Sequence, residues 1–199
     1  MGAEMSRPRK LSSERGVTLV EVLVTVVILA FGLLGIAAFQ AKAQVGSIEA
    51  YQRAQAVVLL QDMRARLTGN PDHAADYVTN APLGTNDASP TDCSTQAVGA
   101  ARDQCEWSNA LKGAALTESV QANSRSTAVL GARGCIEQLQ ASDPTSGVCQ
   151  PGVYRITVAW QGLHATVAPA LACGQNAYGD DSNRRAISVR VAIGLPHCV

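Results

Sequence analysis

Residues 16–39 read GVTLVEVLVTVVILAFGLLGIAAF, and this stretch holds a single charge, Glu21. From Val17 to Phe39 there are 23 residues without a proline. As a helix they would extend about 35 Å at roughly 1.5 Å per residue, enough to cross a hydrocarbon core of about 30 Å. Lipid offers no partner to an open backbone, so the β-branched residues do not divert the stretch from helix. Before it, residues 1–16 carry Arg7, Arg9, Lys10 and Arg15 against Glu4 and Glu14. Excess positive charge ahead of an apolar run keeps that end in the cytoplasm. A secretory signal peptide is one reading, and Ala41-Lys42-Ala43 offers a small-x-small cleavage site. The uncharged run 22–39 is nevertheless longer than the roughly 7–15 residues of a signal-peptide core. A plain membrane anchor is another reading. Neither accounts for Glu21, because a charge at the centre of a membrane helix costs roughly 2.5–3.5 kcal/mol and usually marks a function.

A basic leader ending in Gly16, then Val17, Thr18-Leu19-Val20-Glu21 and an apolar helix resembles the class III signal of type IV prepilins and type II secretion pseudopilins. The resemblance implies that a prepilin peptidase cuts between Gly16 and Val17 and methylates the new amine of Val17. Val17 departs from the phenylalanine usual there. The implied organisation is a cytoplasmic leader at 1–16, a membrane or filament-core helix at 17–39, and a periplasmic pilin head at 40–199 that begins with more of the same helix. A free α-amine has a pKa of roughly 7.7–8. Parallel helices in a filament would bring it beside a neighbour's Glu21, and that pairing would set the stagger between subunits. The alternative role for Glu21 is to snorkel to the cytoplasmic interface unpartnered.

Beyond the apolar run, residues 40–67 are rich in good helix formers. Ala56, Leu59, Leu60, Met63 and Leu67 form an apolar stripe that Val45, Ile48, Tyr51 and Val58 extend upstream. Thr68-Gly69-Asn70-Pro71 is a stop signal, so one helix of about 76 Å is expected over 17–67. Gly32, Gly35 and Gly46 each weaken it by up to about 1 kcal/mol; they serve close helix packing, are simply tolerated, or mark a place that loosens when the helix leaves the membrane for the fibre. Residues 71–94 read as loop and 96–111 as a short helix with Asp103, Trp107 and Leu111 on one face. Period-two alternation predicts strands at 152–160 (Tyr154, Ile156, Val158, Trp160 inward) and 186–193 (Ile187, Val189, Val191, Ile193 inward). A third is expected at 135–139, with a long connection at 168–185. The expected class is α+β and pilin-like: a long N-terminal helix packed on a small antiparallel sheet with disulfide-bonded loops. The segments GCIEQL, GVYRITVAWQG, CGQNAYG and RRAISVRVAIG resemble PilV-type minor pilins in order and type.

The 16 basic and 16 acidic residues balance, and only 4% of residues are aromatic. This excludes a strongly basic nucleic-acid binder and a disordered acidic tail; no nucleic-acid partner is expected. Loss of the leader would leave 12 basic and 14 acidic residues, a net charge of −2. Six cysteines all lie beyond the apolar span, which fits an oxidising periplasm and three disulfides. Fifteen pairings are possible; the expectation is sequential, Cys93–Cys105, Cys135–Cys149 and Cys173–Cys198. A zinc site lacks any Cys-x-x-Cys spacing. His73, His164 and His197 are scattered, and neither a Gly-x-Ser-x-Gly elbow nor a phosphate loop is present. No catalytic residues, cofactor or metal are therefore expected. Gly179-Asp180-Asp181-Ser182-Asn183 offers oxygen ligands for calcium or forms an acidic turn beside Arg184 and Arg185, and the full calcium-loop pattern is missing. The resemblance implies a structural minor pilin with roles in pilus assembly, priming and adhesion. Its partners would be prepilin peptidase, major and other minor pilins, the inner-membrane assembly platform and the lipid bilayer. It would sit in the inner membrane and then in an extracellular pilus. A minor pseudopilin of type II secretion and a ligand-binding tip adhesin are the alternatives.

Overall fold

The computed structural model describes residues 16–113, 129–195 and 198. Helix α1 runs over Leu19–Gly69. The chain divides into two units, Met1–Gln44 and Val45–Val199. In the first, every described residue is exposed. Thr18 Oγ1 accepts the Glu21 N–H at 3.3 Å and so satisfies one orphan amide at the helix start. The most apolar 18-residue window of α1 has a mean hydropathy of 2.8, with none of it buried. Such a surface requires lipid or other protein around it.

In the second unit, α1 buries Gln52, Ala56, Leu60, Met63 and Leu67, a row at four- and three-residue spacing. The expected stripe is thus buried from Ala56 on, with Leu59 packed at its margin. Its upstream extension is not: Val45, Ile48, Tyr51 and Val58 are 40–62% exposed. At 100° per residue Val45 and Ile48 lie on the same side of the helix as Gln52 and yet stay exposed. Tyr51 and Val58 are turned roughly 100° or more away from that face.

The sheet has strand order β1-β2-β3-β4, from β1 (Leu83–Gly84), β2 (Arg133–Gln140), β3 (Gly152–Gln161) and β4 (Arg184–Ile193). All neighbours are antiparallel, with Ile136 opposite Ile156 and Ile156 opposite Val189. Tyr154, Ile156, Val158 and Trp160 of β3 enter one core with the α1 row and with Trp107 and Leu111 of α2 (Ala100–Leu111). Trp107 donates its indole N–H to the Leu59 carbonyl at 2.9 Å. Gly134 makes room for that ring, since a Cβ there would lie 2.1 Å from it. β4 alternates as its sequence predicts, with Val191 and Ile193 buried and Ser188, Arg190 and Ala192 exposed.

Several expectations are corrected. β3 is not half-buried, because Thr157 and Ala159 on its other face are also buried, beneath Cys173. Residues 71–94 are not all loop: Pro71–Tyr77 is a 3-10 helix and Leu83–Gly84 is β1. The short helix starts at Ala100 rather than 96, after Gly99 with φ 106°. β4 reaches back to Arg184, shortening the connection expected over 168–185.

The cysteines pair as Cys93–Cys105, Cys135–Cys173 and Cys149–Cys198. The expected Cys135–Cys149 and Cys173–Cys198 bridges are replaced, and the topology explains why. Cys135 sits early in β2, whereas Cys149 follows the strand's end. The five residues from Cys135 to Gln140 alone cover about 17 Å at roughly 3.3 Å each, far beyond the roughly 7 Å Cα limit of a disulfide. Instead the connection after β3 folds back over Thr157 and delivers Cys173 to Cys135, which is paired in register with Thr157. β4 ends with Ile193 opposite Gly152. The chain leaving β4 is therefore beside the turn that carries Cys149.

Candidate assembly site at the start of the long helix

Gly16, Val17 and Thr18 precede the helix, and Glu21 lies in its first turn. Thr18 and Glu21 stand at the spacing of a capping box, and a carboxylate here also meets the positive end of the helix dipole. Glu21 is exposed and has no ion-pair partner among the described residues. A Cβ added at Gly32, Gly35 or Gly46 would meet nothing within 4 Å. No packing inside the described chain requires these glycines.

The head supplies no catalytic constellation among the described residues. All six cysteines are bonded, so no thiol is free. His73 faces Asp76 at 3.1 Å and His164 faces Glu49 at 3.1 Å. His197 lies outside the described residues. No group of three or more His, Cys, Asp or Glu side chains is placed to hold a metal among the described residues. The acidic turn at 179–183 is committed to the fold. Asp180 accepts the Ser182 N–H at 2.9 Å, and Asp181 accepts Arg184 Nε and a terminal guanidinium N–H at 2.7 and 2.6 Å. The Ser182 amide holds Asp180 below the usual carboxylate range, and Arg184 does the same to Asp181. Arg184 is itself only 1% exposed and also donates to the carbonyls of Pro169 and Cys173 at 3.0 Å each.

Two polar clusters that the sequence reading did not single out hold the head together. Arg66 on α1 bonds Asp62 at 3.1 Å and reaches α2 at Asp103 (3.0 Å) and Glu106 (2.6 Å). Burial alone would lower its pKa, but the Glu106 and Asp62 hydrogen bonds outweigh that and raise it. Tyr77 also donates to Asp103. Only the i,i+4 pair Asp62/Arg66 left a sequence signal.

The second cluster centres on Asp87, whose side chain is 9% exposed. It accepts from the Gly84 and Ser89 amides at 2.9 and 3.1 Å, from the Ser108 hydroxyl at 2.6 Å, and from Lys112. Burial pushes the carboxyl pKa up, but Lys112, Ser108 and the Gly84 amide together hold it well below the ordinary range. A depressed folded pKa contributes stability above the unfolded value of about 3.9 and loses it as pH falls toward the folded one. Asp87→Asn is therefore expected to cost about 2 kcal/mol at neutral pH. In urea titrations the gap from wild type should narrow below about pH 4; a gap that stays constant down to about pH 3 would remove the charge from the explanation.

Residues 11–37 match the family model described as the prokaryotic N-terminal methylation motif. The match spans Gly16, Val17, Glu21 and most of the apolar run. It supports a type IV pilin-like or pseudopilin-type chain that is a substrate of prepilin peptidase, is anchored in a membrane and has pilins as its partners. It points to a structural protein rather than an enzyme. No curated protein and no solved structure matches the chain significantly.

Proposed function

We propose that the chain is a minor pilin of type IV pili, resembling the PilV type. Prepilin peptidase removes residues 1–16 and methylates Val17. The head, from residue 40 on, lies in the periplasm, and residues 17–39 hold the subunit in the inner membrane. The assembly platform then passes that helix into the filament, where each Val17 amine faces a neighbour's Glu21. In the pilus the subunit helps to prime assembly and contributes to adhesion through its neighbours.

The observation that carries this reading is the methylation motif joined to an apolar helix segment with no burial of its own. A lone carboxylate in that coat is explained by a partner amine in the next subunit. Three disulfides suit a head that works outside the cell.

Mass spectrometry of sheared filaments is the test. The expected mature chain starts at N-methylated Val17, and cells lacking the peptidase should retain the full leader. A mature chain starting at Gln44 would assign the segment to an ordinary signal peptide. A deletion that abolishes protein secretion and leaves pili intact would move the subunit to a type II secretion pseudopilus.

A further inference from the structure

The two edges of the sheet differ. β1 closes one with only two residues. The other is β4, whose ten residues pair with β3 in unbroken register from Gly152↔Ile193 to Gln161↔Arg184. Among the described residues no strand covers the outer side of β4. An open edge offers a row of N–H and C=O groups, and proteins normally protect it by shortness, proline, a bulge, charged side chains or a covering helix or loop. β4 has no proline and no register shift, and Ile187, Val189, Val191 and Ile193 give it a strong strand preference.

Its charges are one-sided. The strand holds three arginines and no acid. Arg184 is turned to Asp181 and Arg185 to Glu49. Arg190 is exposed, without an ion-pair partner among the described residues, and sits directly opposite Arg155 of β3. Arg155 is held from its far side by Glu137 at 3.2 Å. Like charges facing one another across strands destabilise a sheet, so this pair works against the fold. Two copies of β4 paired edge to edge about Arg190 would again set arginine against arginine, whereas an acidic strand would neutralise Arg190.

We propose that the open edge of β4 docks an extended acidic segment of another protein, which adds as a fifth strand with a carboxylate against Arg190. Main-chain bonds along the edge supply the affinity, and Arg190 selects the partner.

The test uses the full chain in detergent micelles and three peptides of roughly ten residues, the length of a strand. One alternates Glu with Val and Thr, one carries Lys in place of Glu, and one is acidic but interrupted by prolines. The acidic alternating peptide is expected to bind and to slow amide hydrogen exchange across 184–193, while the other two bind far more weakly. Arg190→Glu puts a carboxylate opposite Arg155, so its thermal stability should equal or exceed wild type. It should weaken the acidic peptide about tenfold or more, since like charges across an interface are strongly disfavoured, and should improve binding of the lysine peptide. Equal binding of the three peptides, unprotected β4 amides, or an acidic peptide indifferent to Arg190→Glu would overturn the proposal.

Discussion

Glu21→Gln is expected to leave cleavage after Gly16 intact and to remove the subunit from filaments. Two roles compete for this side chain, and the substitution separates them. As a helix-start residue, Glu21 sits three positions after Thr18, whose hydroxyl accepts the Glu21 amide at 3.3 Å. Glutamine preserves that backbone bond and is itself accepted in a capping box. If capping were the whole role, the variant would behave as wild type, and even Glu21→Ala would cost only a fraction of a kcal/mol to about 1 kcal/mol. As the partner of a neighbour's Val17 amine, only the charge matters. Removing one member of a buried pair strands the other, at about 3–5 kcal/mol. That corresponds to roughly a hundredfold or greater loss of incorporation. Glu21→Asp, which keeps the charge on a shorter stem, should recover part of it. Filaments containing Glu21→Gln at wild-type levels, with Val17 correctly exposed, would assign Glu21 to the cap.

The candidate site was legible because it is linear. Gly16, Val17 and Glu21 lie within six residues, and the apolar coat that gives Glu21 its meaning follows without interruption. The elements that bury one clean face were equally readable: the Ala56–Leu60–Met63–Leu67 row of α1 and the alternating inward residues of β4. Local patterns failed where burial depends on what the chain does later. Nothing near Thr157 or Ala159 announces that residues around Cys173 return to cover them. Nothing near Leu83 and Gly84 predicts a two-residue strand, because its pairing is set by β2, some fifty residues on. The polar centres were hidden for the same reason. Asp87 gathers Ser108 from α2 and Lys112 from just after it, and Arg184 gathers carbonyls from the connection before it. Single-residue signals do not mark long-range acceptors.

The largest effect on stability is expected from Cys135→Ala combined with Cys173→Ala, and it separates two accounts of what the bridges do. If a disulfide acts only by restricting the unfolded chain, its contribution follows loop length. Separations of 12, 38 and 49 residues then give about 3, 4 and 4 kcal/mol, with Cys149–Cys198 marginally the strongest. The surroundings argue for a different order. Cys149 and Cys198 are half-exposed, whereas Cys135 and Cys173 are 8% and 3% exposed and form one buried cluster with Ala159. Cys173 also contributes the carbonyl that accepts Arg184 at 3.0 Å, within a segment whose Pro169 carbonyl accepts the same guanidinium. Freeing that segment uncovers one face of β3 and leaves a buried arginine short of acceptors, a penalty beyond chain entropy. The Cys135/Cys173 double variant should therefore lose more than about 4 kcal/mol, a fall in Tm of roughly 10 °C or more. Cys149→Ala with Cys198→Ala should lose less than its longer loop implies. Thermal unfolding of the three double-alanine proteins in the same detergent decides the matter. An order that simply follows loop length would mean that the covering of β3 contributes little, and that Arg184 finds new acceptors once the bridge is gone.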